Sequence, residues 1–183
     1  MRRRILGWML LIVVALANSC SNTTKQNQDR KLRTENKILQ KEDGTISLNL
    51  DKADCYSDIV HPSSNTAEWS VVVSKSGRYD VWLSSATKDT NDLHYSNAVM
   101  FNIQDKRLEA RPECDRIVHN SNEVSYPYFR ADSFMGSLYI QDTGLHNVQV
   151  ISDKILPEDH IYDESSVADY TKLLSVFLTP IAP

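Results

Sequence analysis

From residue 66 onward, apolar side chains return at every second position, and that alternation decides what this chain can fold into. In Thr66-Ala67-Glu68-Trp69-Ser70-Val71-Val72-Val73, Trp69, Val71 and Val73 alternate with Ser70 and Val72. After Ser74-Lys75-Ser76-Gly77, the run Arg78-Tyr79-Asp80-Val81-Trp82-Leu83-Ser84 alternates again. Period two in β-branched and aromatic residues, split by a short glycine-containing turn, predicts a hairpin. A second hairpin is predicted from Gly136-Ser137-Leu138-Tyr139-Ile140-Gln141, the turn Asp142-Thr143-Gly144, and His146-Asn147-Val148-Gln149-Val150-Ile151. Further strands are expected at Thr45–Leu50, Ala98–Ile103 and Leu173–Leu178, and helix only around Ser165 to Lys172. Short strands between turns make this an all-β chain, folded as an antiparallel β-sandwich.

The N-terminus carries a different message. Arg2, Arg3 and Arg4 precede the apolar run Ile5 to Leu16, and small residues follow. That order predicts an export signal. The apolar run is shorter than the roughly 20 residues of a membrane-crossing helix. Ala17-Asn18-Ser19 leading into Cys20 resembles the lipobox of bacterial lipoproteins of the Bacteroidota type, with Ala17 where leucine is usual and Leu16 one place further back. The resemblance implies a lipidated, palmitate-bearing Cys20. Each buried CH₂ would contribute about 0.8 kcal/mol of membrane affinity. It further implies an outer-membrane lipoprotein, facing either the periplasm or the cell exterior. The alternative is an ordinary secretory signal with an incidental Cys20.

Residues 1–20 therefore form the signal peptide. Residues 21–43 are nearly devoid of burial-prone side chains and are expected to be a flexible tether, with Leu32, Ile38 and Leu39 marking at most a stub of helix. Residues 44–183 are long enough for one core. The formal net charge is −4, and no basic stripe exists, which argues against nucleic acid as a partner. Of three cysteines, Cys55 and Cys114 remain once Cys20 is lipidated. Outside the cytoplasm they either pair as a disulfide or stay as buried thiols. The five histidines, His61, His94, His119, His146 and His160, show no zinc spacing. Neither a nucleophile elbow nor a phosphate loop is present. No enzyme, metal or cofactor is expected.

The run Glu68 to Leu83, with Gly144 to Val150 and the closing Leu173 to Pro180, resembles carbohydrate-binding-module-type jelly-roll domains of secreted glycoside hydrolases. The resemblance implies a jelly-roll-like sandwich and a glycan partner. Members that hold structural calcium often carry acids in the first and last strands. Here Ile46–Leu50 and Leu174–Leu178 have none, so no calcium site is carried over.

Candidate contacts follow from the alternation. If Tyr79, Val81 and Leu83 face the core, Asp80 and Trp82 face outward, an acid beside a stacking platform. The other reading has Trp82 covered by a loop. Trp69 is expected in the core. The irregular stretch 111–134 holds Tyr126, Tyr128 and Arg130, near Asp132, as ligand contacts or as a cap on the sandwich. The acidic stretch 152–172 reads as a solvated loop, its spacing matching no calcium loop. The leading functional expectation is a non-catalytic glycan-binding module at the cell envelope. Its rival is a structural or protein-interaction subunit of an envelope complex.

Overall fold

In the computed structural model, residues 37–58, 60–155 and 171–181 are described, all within the unit Asn36–Pro183. The expected signal segment and Cys20 lie outside them. So does most of the helix expected around Ser165 to Lys172 and most of the acidic stretch.

The described residues form eleven strands: β1 (Lys37–Leu39), β2 (Ile46–Asn49), β3 (Asp54–Tyr56), β4 (Thr66–Val73), β5 (Gly77–Thr87), β6 (Val99–Ile103), β7 (Lys106–Ala110), β8 (Arg116–Val118), β9 (Phe129–Ile140), β10 (Gly144–Ile151) and β11 (Thr171–Pro180). They form an all-β sandwich. Sheet A runs β1-β4-β10-β6-β7, with β3 also on β4; sheet B runs β2-β11-β5-β9-β8. Among the described strands, every pairing is antiparallel except β1 on β4.

The two predicted hairpins are not hairpins. β4 lies in sheet A and β5 in sheet B; β9 lies in sheet B and β10 in sheet A. Each short turn carries the chain across the core instead of back along the same sheet. Alternation is satisfied either way, because it records only that one face of each strand is buried. Trp69, Val71 and Val73 thus belong to one wall of the core, and Tyr79, Val81 and Leu83 to the other. Phe101, Ile103, Val148 and Val150 extend the first wall; Ile46, Leu48, Ala131, Ile140, Val176 and Leu178 extend the second. Each such aliphatic contributes about 1.5–3 kcal/mol when fully buried.

The polar atoms of core aromatics are satisfied. Trp69 Nε1 donates to Asn49 O at 2.8 Å, and the Tyr95 hydroxyl pairs with Ser85 Oγ at 2.8 Å. Tyr79 donates to Lys75 O at 2.6 Å and accepts from Gln40 Nε2 at 2.7 Å.

The folded part begins earlier than residue 44. Lys37–Leu39, expected in the tether, pair in parallel with Ser70–Val72. Gln40 then fastens the strand down. Its Nε2 donates to Gly44 O as well as to Tyr79, and its Oε1 accepts from the Ser74 and Lys75 amides and the Ser74 hydroxyl. Polar composition concealed this segment because its binding is carried mainly by backbone and amide hydrogen bonds, with Ile38 packed against the core.

Cys55 and Cys114 do not form a disulfide. Cys55 sits on β3, at the β1 side of sheet A, while Cys114 leads into β8, the outermost strand at the opposite side of sheet B. A bridge needs Cα atoms within about 7 Å. Partial burial, with Asp115 and Asp132 nearby, raises the Cys114 thiol above its ordinary pKa.

Candidate functional site: the outer face of sheet B

Strand β5 runs through the middle of sheet B and presents Asp80, Trp82, Ser84 and Ala86 on the face away from the core. The register places partners beside each. Trp82 lies between Phe177 on β11 and Phe134 on β9. Ser84 lies between Ser175 and Asp132, with Arg116 of β8 beyond. Ala86 lies between Lys172 and Arg130. At the other end Asp80 pairs with Ser137, and Arg78 with Tyr139.

A bulge in β9 makes this face possible. Val81 pairs with Gly136 while Trp82 pairs with Phe134, leaving Met135 as the extra residue. Met135 turns inward and is buried, and Gly136 takes φ +123°, where a Cβ would lie 3.4 Å from Leu108 of sheet A. The bulge lets Phe134 point outward while Leu138 returns to the core.

Three aromatic rings therefore form one row. Trp82 and Phe177 lie nearly parallel, 6° apart with centroids at 6.3 Å, and Trp82 meets Phe134 at 5.1 Å and 53°. Trp82 is half-buried, covered by side chains of neighbouring strands, whereas Phe134 is 44 % exposed. The Arg116 guanidinium stands 5.0 Å from the Trp82 centroid, and that of Arg130 5.7 Å from Phe177.

The next row is polar and organised on Asp132, which is fully buried. Oδ1 accepts from Ser84 Oγ at 2.6 Å and Arg130 Nε at 2.9 Å; Oδ2 accepts from Arg116 Nε at 3.1 Å and Nη2 at 2.6 Å. Arg130 Nη1 also donates to Glu123 at 2.8 Å. A buried carboxylate is tolerated only when its charge and lone pairs are met, as they are here.

Beyond this row stands Tyr128, half-buried, with Lys88 Nζ 4.9 Å and Lys172 Nζ 5.6 Å from its centroid. A cleft lined by Asn49, Leu50, Asp51, Glu123, Lys154 and Lys172 opens at this end.

The structure thus brings Trp82, Asp80, Arg130 and Tyr128 together along one face. Asp80 accepts a hydrogen bond from Ser137 instead of standing beside Trp82 as an open acid. Tyr126 is apart, 92 % exposed on the β8–β9 connection. Residues 111–134 are not one irregular stretch: they contain β8 and the first half of β9. Phe134, Phe177, Arg116 and Ser84, which the sequence does not single out, share this face. The signal for Phe177 was present, since Val176 and Leu178 facing inward force it out.

No protein-family model matches the chain, and no curated protein matches it. Solved structures do. The chain resembles part of an α-L-fucosidase from Vibrio sp. strain EJY3, at 19 % identity and a TM-score of 0.61, over 79 % of this chain. It is also aligned with a GH26-CBM35 β-(1,4)-mannanase of Podospora anserina, at 10 % identity and a TM-score of 0.45, over 78 % of this chain. The chain spans 24 % of the fucosidase and 29 % of the mannanase. The likeness to the fucosidase is one of fold: an all-β sandwich the size of one segment of a larger enzyme.

Proposed function

We propose that the folded head is a non-catalytic glycan-binding module, held at the outer membrane by a lipid on Cys20. The observation that carries this reading is the row Phe177, Trp82 and Phe134 on the outer face of sheet B, flanked by polar rows. Sugar rings offer apolar faces to aromatic side chains and hydroxyls to polar ones. At about 3.4 Å per residue, the distance along β5 from Arg78 to Ala86 is roughly 27 Å, which suits an extended chain. The engagement of Asp132 by two guanidiniums and a hydroxyl supports binding over acid–base chemistry. The similarity to part of a fucosidase lends a carbohydrate setting.

A glycan array followed by calorimetry on the best ligand tests this, with Trp82→Ala and Phe134→Ala as variants. Both should weaken binding at least tenfold while the protein stays folded by circular dichroism. Absence of binding to every glycan would defeat the reading. For the anchor, Cys20→Ser should abolish labelling by a palmitate analogue and move the protein from the membrane to the soluble fraction. Unchanged labelling would defeat that part.

A further inference from the structure

We infer that the glycan held on this face is acidic, and that Lys88 and Lys172 select it by taking its carboxylate or sulfate beside Tyr128. The inference rests on the glycan-binding reading and adds the class of ligand.

The chain as a whole is acidic, yet among the described residues two lysines, Lys88 and Lys172, converge on Tyr128. The two guanidiniums here are already committed, Arg116 to Asp132 and Arg130 to Asp132 and Glu123. Those charges cancel. What remains are two ammonium groups directed at one ring, 4.9 and 5.6 Å from its centroid and so no more than 10.5 Å from each other. No described carboxylate lies within ion-pair distance of either. Asp89, next to Lys88 in sequence, turns instead to the Asn91 amide at 2.8 Å and to His94 at 3.3 Å.

Two like charges on one ring repel, and each cation–π contact at an exposed site is weak. An anion bound beside Tyr128 would offset that repulsion and take charge-assisted hydrogen bonds from the ammonium groups. A sugar chain laid along β5 crosses the aromatic row at Trp82 and reaches Lys172, opposite Ala86, four residues or roughly 14 Å further on. Lys172 is fixed on β11 opposite Ala86, and Lys88 directly follows β5, so both positions are set by the sheet.

Two matched pairs of polymers test this by calorimetry: polygalacturonate against its methyl ester, and dextran sulfate against dextran. The acidic member of at least one pair should bind at least tenfold more tightly than its neutral counterpart, and which pair responds identifies carboxylate or sulfate. The double variant Lys88→Ala/Lys172→Ala should reduce that affinity about tenfold. Lys106→Ala, on sheet A, should leave it unchanged. A neutral glycan bound as tightly as an acidic one, still dependent on Trp82, would overturn the charge selection and leave glycan binding standing. An acidic polymer bound equally well by the double lysine variant would also overturn it. Failure of all polymers and of the array would remove both readings.

Discussion

Arg116 donates two hydrogen bonds to one oxygen of Asp132, at 3.1 Å from Nε and 2.6 Å from Nη2, while its guanidinium overlies Trp82. One side chain therefore ties the polar row to the aromatic row. Removing one partner of a buried ion pair costs about 3–5 kcal/mol, because the remaining charges stay unpaired. Here both arginines retain some solvent access, so Asp132→Ala should cost about 3 kcal/mol. For a domain of this size that lowers Tm by roughly 10 °C. Scanning calorimetry checks it, and a change under 2 °C would mean that the network adds little.

The two tryptophans of the head should separate cleanly. Trp69 is 2 % exposed and hydrogen-bonded to Asn49, so Trp69→Ala should cost about 3–5 kcal/mol in urea unfolding. Trp82 is half-buried on the outer face, and Trp82→Ala should cost about 1–2 kcal/mol, well below a full cavity penalty. Equal losses would place Trp82 in the core.

Gln40 is the fastening of the N-terminal edge. Its amide spans Gly44, Ser74, Lys75 and Tyr79. Gln40→Ala should destabilise by about 1–2 kcal/mol, since it strands several partners at once. A head starting at Lys41 should lose more, as β1 goes with it. Thermal melting of the two variants beside a head starting at residue 36 decides this.

The raised pKa of Cys114 predicts slow alkylation. Thiolate is the reactive form, so at pH 8 less of this thiol is available than of an ordinary one. In a Cys55→Ser background, the iodoacetamide rate at Cys114 should keep climbing past pH 9. A plateau near pH 8 by mass spectrometry would contradict the shift.

Several features of the fold were legible because burial was written in period two. The inward set Tyr79, Val81 and Leu83, the outward Trp82, and the buried Trp69 all follow from alternation. What alternation lacks is a partner. A strand pattern does not state whether its successor pairs beside it or stacks across the core, and so alternation alone predicts hairpins where β4–β5 and β9–β10 cross between sheets. β9 was half missed because Arg130, Asp132 and Ser133 look like loop residues. They are tolerated in a strand only because distant Arg116 and Ser84 satisfy Asp132, a relationship with no local signature. β7, with Lys106, Arg107 and Glu109, escaped for the similar reason that an edge strand with one solvated face carries few apolar positions. Lys88, Lys172 and Tyr128 are separated by dozens of residues, and only the register unites them.

Strand β11 occupies the second place in sheet B, between β2 and β5. The last strand in the chain thus fills a gap between two of the earlier ones, and β10 likewise completes sheet A between β4 and β6. Neither layer can be finished until β10 and β11 are available, and contacts so remote in sequence form slowly. Under the lipoprotein reading proposed above, the chain crosses a membrane unfolded, and late closure of both layers favours that passage.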